Sequence, residues 1–129
     1  MIPPAGRELI RGEIADYVYE QGILISYSKG VKRTVENITG NVALVQQITG
    51  GKPVPLLIFL TNSPMPDKAT REFSTTQLPV IYSAMAMVSK PGLSQFIMKL
   101  LFKFQHPPIP IKSFSNENEA RAWLKQYIK

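Results

Sequence analysis

Two stretches, VPLLIFLT at 54–61 and VIYSAMAMVS at 80–89, are apolar almost without a break. A strand buried on one face alternates polar and apolar residues; a strand covered on both faces reads as a continuous apolar run of this length. Two such runs call for interior strands in a sheet with helices packed on it.

The flanking segments supply those helices and the remaining strands. RGEIADYVYE at 11–20 alternates, with Ile14, Asp16 and Val18 on one parity and Ala15, Tyr17 and Tyr19 on the other. Gln21-Gly22 then makes a turn, and ILISYS follows, which predicts a hairpin. From Val31 the rhythm changes: Val31, Val35, Ile38, Val42, Val45 and Ile48 recur every three or four residues, a helical stripe that Gly50-Gly51 ends. Pro64 and Pro66 interrupt the chain after the first apolar run, and DKATREF predicts a short helix with Asp67 near its start. Pro91-Gly92 opens a helix whose stripe is Leu93, Phe96, Ile97, Leu100, Leu101 and Phe104. HPPIP is extended because proline restricts itself and its predecessor. IKSF is a short edge strand. Ser115 is expected to cap the last helix, with Asn118 at the capping-box position and Glu117 and Glu119 alongside. Ala120, Trp123, Leu124, Tyr127 and Ile128 form that helix's buried face.

The expected architecture is therefore α/β, in the order ββαβαβαβα, with a mixed sheet of about five strands and about four helices. Residues 10–129 make one domain, preceded by an extension at 1–9. A chain of 129 residues with 44% hydrophobic and 19% charged content can bury a proper core.

Composition removes several functions. There is no cysteine, so disulfides, thiolate catalysis and cysteine-type zinc sites are excluded. MIPPAGRELI lacks the pattern of a signal peptide, and no run of about 18 apolar residues predicts a spanning helix. A cytoplasmic, soluble protein is the simplest expectation. The net charge is +6, but the basic residues are scattered, the densest groups being Lys29, Lys32 and Arg33, then Lys99 and Lys103. Without an aromatic RNA-binding signature or an arginine-rich arm, a solvated basic surface is favoured over nucleic-acid binding.

No catalytic constellation, metal site or cofactor is expected. Gly50-Gly51-Lys52 follows a helix and precedes Pro53, unlike a phosphate-binding loop. His106 has no partner for catalysis in its proline-flanked linker. Asp67, Glu72, Glu117 and Glu119 do not group with a histidine at ligand spacing. Asn37-Ile38-Thr39 matches a glycosylation sequon but falls within the helical stripe.

Two segments suit recognition instead: the loop and helix start at 61–73, and the helix GLSQFIMKLLFKF at 92–104. On a docking surface Lys68 and Arg71 would supply polar rim contacts, and Phe96, Leu100 or Phe104 the apolar anchor. The broad apolar face of the second helix also suits a homodimer contact, a weak membrane-surface contact, or the lid over an apolar ligand. A carrier or sensor of apolar ligands is the alternative to a module that binds a protein partner. The methionine-rich strand at 85–87 and the phenylalanine-rich helix suggest it.

The ending IPIKSFSNENEARAWLKQYIK resembles the terminal strand and helix of bacterial SpoIIAA-like proteins of the STAS/SEC14 type, through Phe114, Ser115, Glu117, Glu119, Ala120, Trp123 and Leu124. The element order is similar too, over roughly 10–129. The resemblance implies a non-enzymatic regulatory or interaction domain, distantly similar to anti-sigma-factor antagonists. In those proteins the loop after the central strand carries an aspartate and a phosphorylatable serine. The matching loop here is Thr61, Asn62 and Ser63, which makes Ser63 the candidate phosphoacceptor. Asn62 stands in place of the acidic residue, Pro64 follows, and the glycine after the serine is absent. A phosphate there would add about −1.5 to −2 charges. Without one, Asn62 and Ser63 are residues that a proline-bounded turn prefers.

Overall fold

The structure is a computed structural model and describes residues 8–90, 92–102 and 107–128. Its sheet runs in chain order: β1 (Ile10–Arg11), β2 (Ala15–Glu20), β3 (Ile23–Ser28), β4 (Val54–Phe59), β5 (Tyr82–Val88) and β6 (Ile111–Phe114). The first three strands pair antiparallel; β3 through β6 pair parallel. The helices are α1 (Val35–Thr49), α2 (Lys68–Ile81), α3 (Leu93–Phe102) and α4 (Glu117–Leu124).

The sheet thus has six strands, not about five. The alternating run from Arg11 does not stay in one strand, because the chain folds back at Gly12. The Gly12 amide donates to Asp16 Oδ1 at 3.3 Å, and Lys29 Nζ bonds the Gly12 carbonyl at 2.6 Å while pairing with Asp16 at 3.0 Å. Ile10 consequently lies opposite Tyr17. The β2–β3 hairpin is as expected, with Gln21 and Gly22 both at positive φ (52° and 80°), as a tight two-residue turn requires.

Successive residues of a strand face opposite sides, so the sheet has two cores. On one side Tyr17, Leu24 and Leu56 pack with Val45 of α1 and with Leu78 and Ile81 of α2, and Met98 of α3 joins them. On the other, Val18, Ile25, Leu57, Ala84 and Ala86 pack against Ala120 and Leu124 of α4. Crossovers that step one strand at a time in one direction leave α1, α2 and α3 on the same face. The small side chains of Ala84 and Ala86 let α4 sit close against β5. Arg121 ties it to the hairpin, donating to Glu20 and to Glu117 at 2.7 Å each.

Helix ends depart from expectation where side-chain capping decides them. α1 begins at Val35, not Val31: Thr34 is the N-cap, and it exchanges hydrogen bonds with Asn37 in a capping box. Asn37 is buried in that role. Gly50 closes the helix in the left-handed region. Asp67 caps α2 by accepting from the Thr70 amide at 2.8 Å. That helix is not short, running 14 residues through Pro79, and so delays β5 to Tyr82. The proline removes one amide donor near the helix end while Thr70, Leu78 and Ile81 keep their buried face. The N-cap of α4 is Asn116 rather than Ser115, accepting from the Glu119 amide at 2.9 Å. Ile128 is exposed rather than buried, although its Cγ2 lies over Gly22.

Candidate functional site

The helical face of the sheet carries a graded row of side chains. Tyr17 on β2 lies opposite Ser26 on β3, which pairs with Ile58 on β4, which pairs with Met87 on β5. Polar groups occupy the hairpin end of this row and apolar ones the other. A register irregularity between Val54 and Pro55 changes the parity of β5, so that Tyr82 faces the helical side with Met85 while Ala84 faces α4.

α1, α2 and α3 do not close completely over this row. A cavity of about 340 Å³ remains between them, the sheet and the loop 60–66. That volume lies at the lower end of the range for small-molecule sites, about 300–1,000 Å³. Ile58, Met85 and Met87 form its floor, α3 covers it with Phe96, Ile97 and Met98, and Tyr17, Ser26, Ser28 and Asn41 gather at its polar end. Thr61 to Met65 and Phe96 line it while remaining exposed, so the opening lies beside them. They sit past the carboxyl ends of the parallel strands, the usual place for a ligand in an open α/β sheet.

Buried hydrogen bonds fix the polar end. Tyr17 donates its hydroxyl to Asn41 Oδ1 at 2.9 Å, and Ser26 and Tyr82 are further side-chain neighbours of that phenol. Burial raises the pKa of Tyr17 and pushes that of Tyr82 well up, so both phenols remain neutral donors at ordinary pH. Arg33 precedes α1 and reaches back under the hairpin: Nη1 donates to the Lys29 and Val31 carbonyls, Nη2 to the Ile14 carbonyl and Ser28 Oγ. Arg71 donates to the Pro66 carbonyl at 2.7 Å and so tethers the loop to α2.

Several residues singled out from the sequence meet here. Thr61, Asn62, Ser63, Arg71 and Phe96 all line the cavity; Lys68 does not, lying exposed 4.0 Å from Glu72 on the solvent side of α2. Leu100 falls within α3, but its side chain lies outside the described residues, as do Phe104 and His106 altogether. Tyr17, Asn41 and Tyr82 were not singled out. One signal for Asn41 was available: three residues after Ile38 and four before Val45, it shares the buried stripe of α1. Arg33, counted among a solvated basic group, is half-buried instead.

Among the described residues no group of three or more His, Asp or Glu side chains could hold a metal ion, and no helix is long and apolar enough to cross a membrane.

Comparison with solved structures gives a crystal structure of an uncharacterized DUF3478-family protein from Shewanella loihica PV-4 with a SpoIIAA-like fold. It shares 17% identity over 92% of each chain, with a TM-score of 0.54. The fold is therefore SpoIIAA-like, as the terminal motif and element order implied. A search of curated proteins finds no match. Residues 17–128, from the cavity's Tyr17 through α4, match the family model described as a domain of unknown function, DUF7793, and the chain belongs to that family.

Proposed function

We propose that this protein is a non-enzymatic binding module that holds a small, largely apolar ligand in the cavity between the sheet, α1, α2 and α3. The supporting observation is the cavity itself, with methionine and aliphatic side chains for most of its wall and polar groups supplied by the hairpin end, the 61–63 loop and α2. Methionine adapts its shape to irregular ligands. The neutral phenols and hydroxyls can orient a ligand but include no paired acid and base to transform one.

Native mass spectrometry before and after organic extraction tests this, together with titration of a neutral fluorescent apolar probe. Co-purifying small molecules, or probe binding that Ser74→Trp abolishes in a folded protein, support the reading. An empty protein that binds no probe ends it.

A second reading takes the opening as a surface for a protein partner. Met65 in the 61–66 loop and Phe96 on α3 both line the cavity and are 55% and 53% exposed. In this regulatory role the loop and α3 report occupancy of the cavity. Capture from native lysate with ligand-loaded and emptied protein tests it: identical partners with both remove the coupling.

A further inference from the structure

The charge around the cavity is one-sided. Among the described residues that line it, the charged ones are Arg33 and Arg71, and no carboxylate joins them. Neither arginine has an ion pair among the described residues. The four bonds from Arg33 Nη1 and Nη2 go to carbonyl and hydroxyl oxygens, which fix the guanidinium without neutralising it. Asp67 attracts Lys32 and Arg71, but it is exposed, caps α2 and does not line the cavity. Asn41 adds a further donor: its Oδ1 accepts from Tyr17, leaving Nδ2 without a partner among the described residues. An uncompensated cation in a partly desolvated place is costly, and an anion delivered beside it recovers that cost. Burial already lowers the Arg33 pKa.

The wall has the complementary polarity. From the Arg33 end the sheet side of the lining passes through Ser28 and Ser26 to Ile58, Met87 and the α3 side chains, polar to apolar, while the 61–63 loop and α2 with Arg71 add polar groups on the other side. This gradient matches an amphiphile, with one charged head and one hydrocarbon chain.

We propose that the cavity selects an anionic amphiphile, a medium-chain monocarboxylate. Its head lies beside Arg33 and Arg71, and its alkyl chain lies over Ile58 and Met87 beneath α3. This rests on the cavity being a ligand site. A carboxylate suits the planar donor fork of Arg71, which spends only Nη1 on the Pro66 carbonyl, and can also accept from Asn41 Nδ2. Arg33, with its four terminal N–H groups already donated, contributes its charge.

Titration with decanoate, decanol and decylamine, below their aggregation concentrations and by displacement of a neutral fluorescent probe, tests the head group on a constant chain. Decanoate is expected to bind roughly tenfold tighter than decanol, with decylamine weakest. Added salt should weaken decanoate and leave decanol unchanged. Arg71→Gln should lower decanoate affinity several-fold with decanol unaffected; Arg33→Gln should do the same where it folds. Because Arg33 anchors three backbone carbonyls around β2 and β3, the wild-type head-group series and Arg71→Gln carry the test without it. Decanol binding as tightly as decanoate overturns the head-group assignment while leaving the apolar site standing. Failure of all three compounds to displace a bound probe overturns the assignment and counts against the cavity as the probe's site. A protein that binds neither probe nor compound removes both readings.

Discussion

Tyr17 on β2 donates its hydroxyl to Oδ1 of Asn41 on α1 at 2.9 Å, joining the hairpin to the first helix across the polar end of the cavity. The two residues are separated by 24 positions, and Ser26 and Tyr82 adjoin the same phenol. Such a bond contributes modestly when made, and its loss is costly when one partner is left buried without the other.

Tyr17→Phe is accordingly expected to destabilise the fold by about 1–3 kcal/mol in urea unfolding. Pairing it with Asn41→Leu should recover part of that, because the second change removes the stranded acceptor. Additive losses in the double-mutant cycle would show that the bond has no energetic coupling.

Stability should fall as the solution becomes strongly alkaline. Burial raises the phenol pKa of both Tyr17 and Tyr82 from the ordinary 10.0. Between the unfolded and folded pKa values the unfolded chain has released protons that the folded one retains, so unfolding gains on folding from about pH 10 upward, and below that these groups contribute no pH dependence. Urea midpoints measured across this range should drop, and Tyr82→Phe should flatten the decline. An unchanged slope in that variant would place the effect elsewhere.

The two candidate caps of α4 differ sharply. Asn116→Ala should cost about 1 kcal/mol, since it strands the Glu119 amide, whereas Ser115→Ala should lie within about 0.5 kcal/mol of wild type. Thermal unfolding of the two variants separates them. Equal losses would contradict the observed cap.

Gly22→Ala should destabilise the hairpin for two separable reasons. The residue has φ +80°, and an added Cβ would meet Ile128 Cγ2 at 2.9 Å. Ile128→Ala in the same chain should relieve the contact and leave the left-handed backbone cost of about 1–2 kcal/mol. Complete rescue would show that the backbone contributes nothing.

Ser63→Asp puts a carboxylate on the cavity lining beside the opening. It should weaken decanoate binding several-fold, leave decanol binding unchanged, and so mimic what a phosphate at this position would do. Equal weakening of both ligands would indicate altered loop geometry in place of charge repulsion.

Local rhythm was enough for most of the architecture. The apolar runs that became β4 and β5, the stripe of α1 and the glycine turn of the hairpin each report an environment that the residues themselves require, because burial on two faces, one face or none leaves a different period. Boundaries set by side-chain hydrogen bonds were less legible. Thr34 and Asn116 are caps because of the bonds they form, whereas the apolar stripe extends back to Val31 and Ser115 is equally suitable by type. Continuation of α2 through Pro79 depended on Leu78 and Ile81 finding the core.

By itself, then, the sequence determined a helix-clad sheet of mixed strand direction, its terminal strand and helix, and the lack of cysteine chemistry. Only the tertiary structure decided that Tyr17, Arg33, Asn41, Arg71 and Phe96 share one cavity. Hydrophobic periodicity is a property of neighbours within a turn or a strand, whereas a cavity is what remains when distant elements fail to fill the space between them. The parity change at Val54–Pro55, which turns Tyr82 toward that space, arises from pairing between two strands and leaves no mark in either one alone.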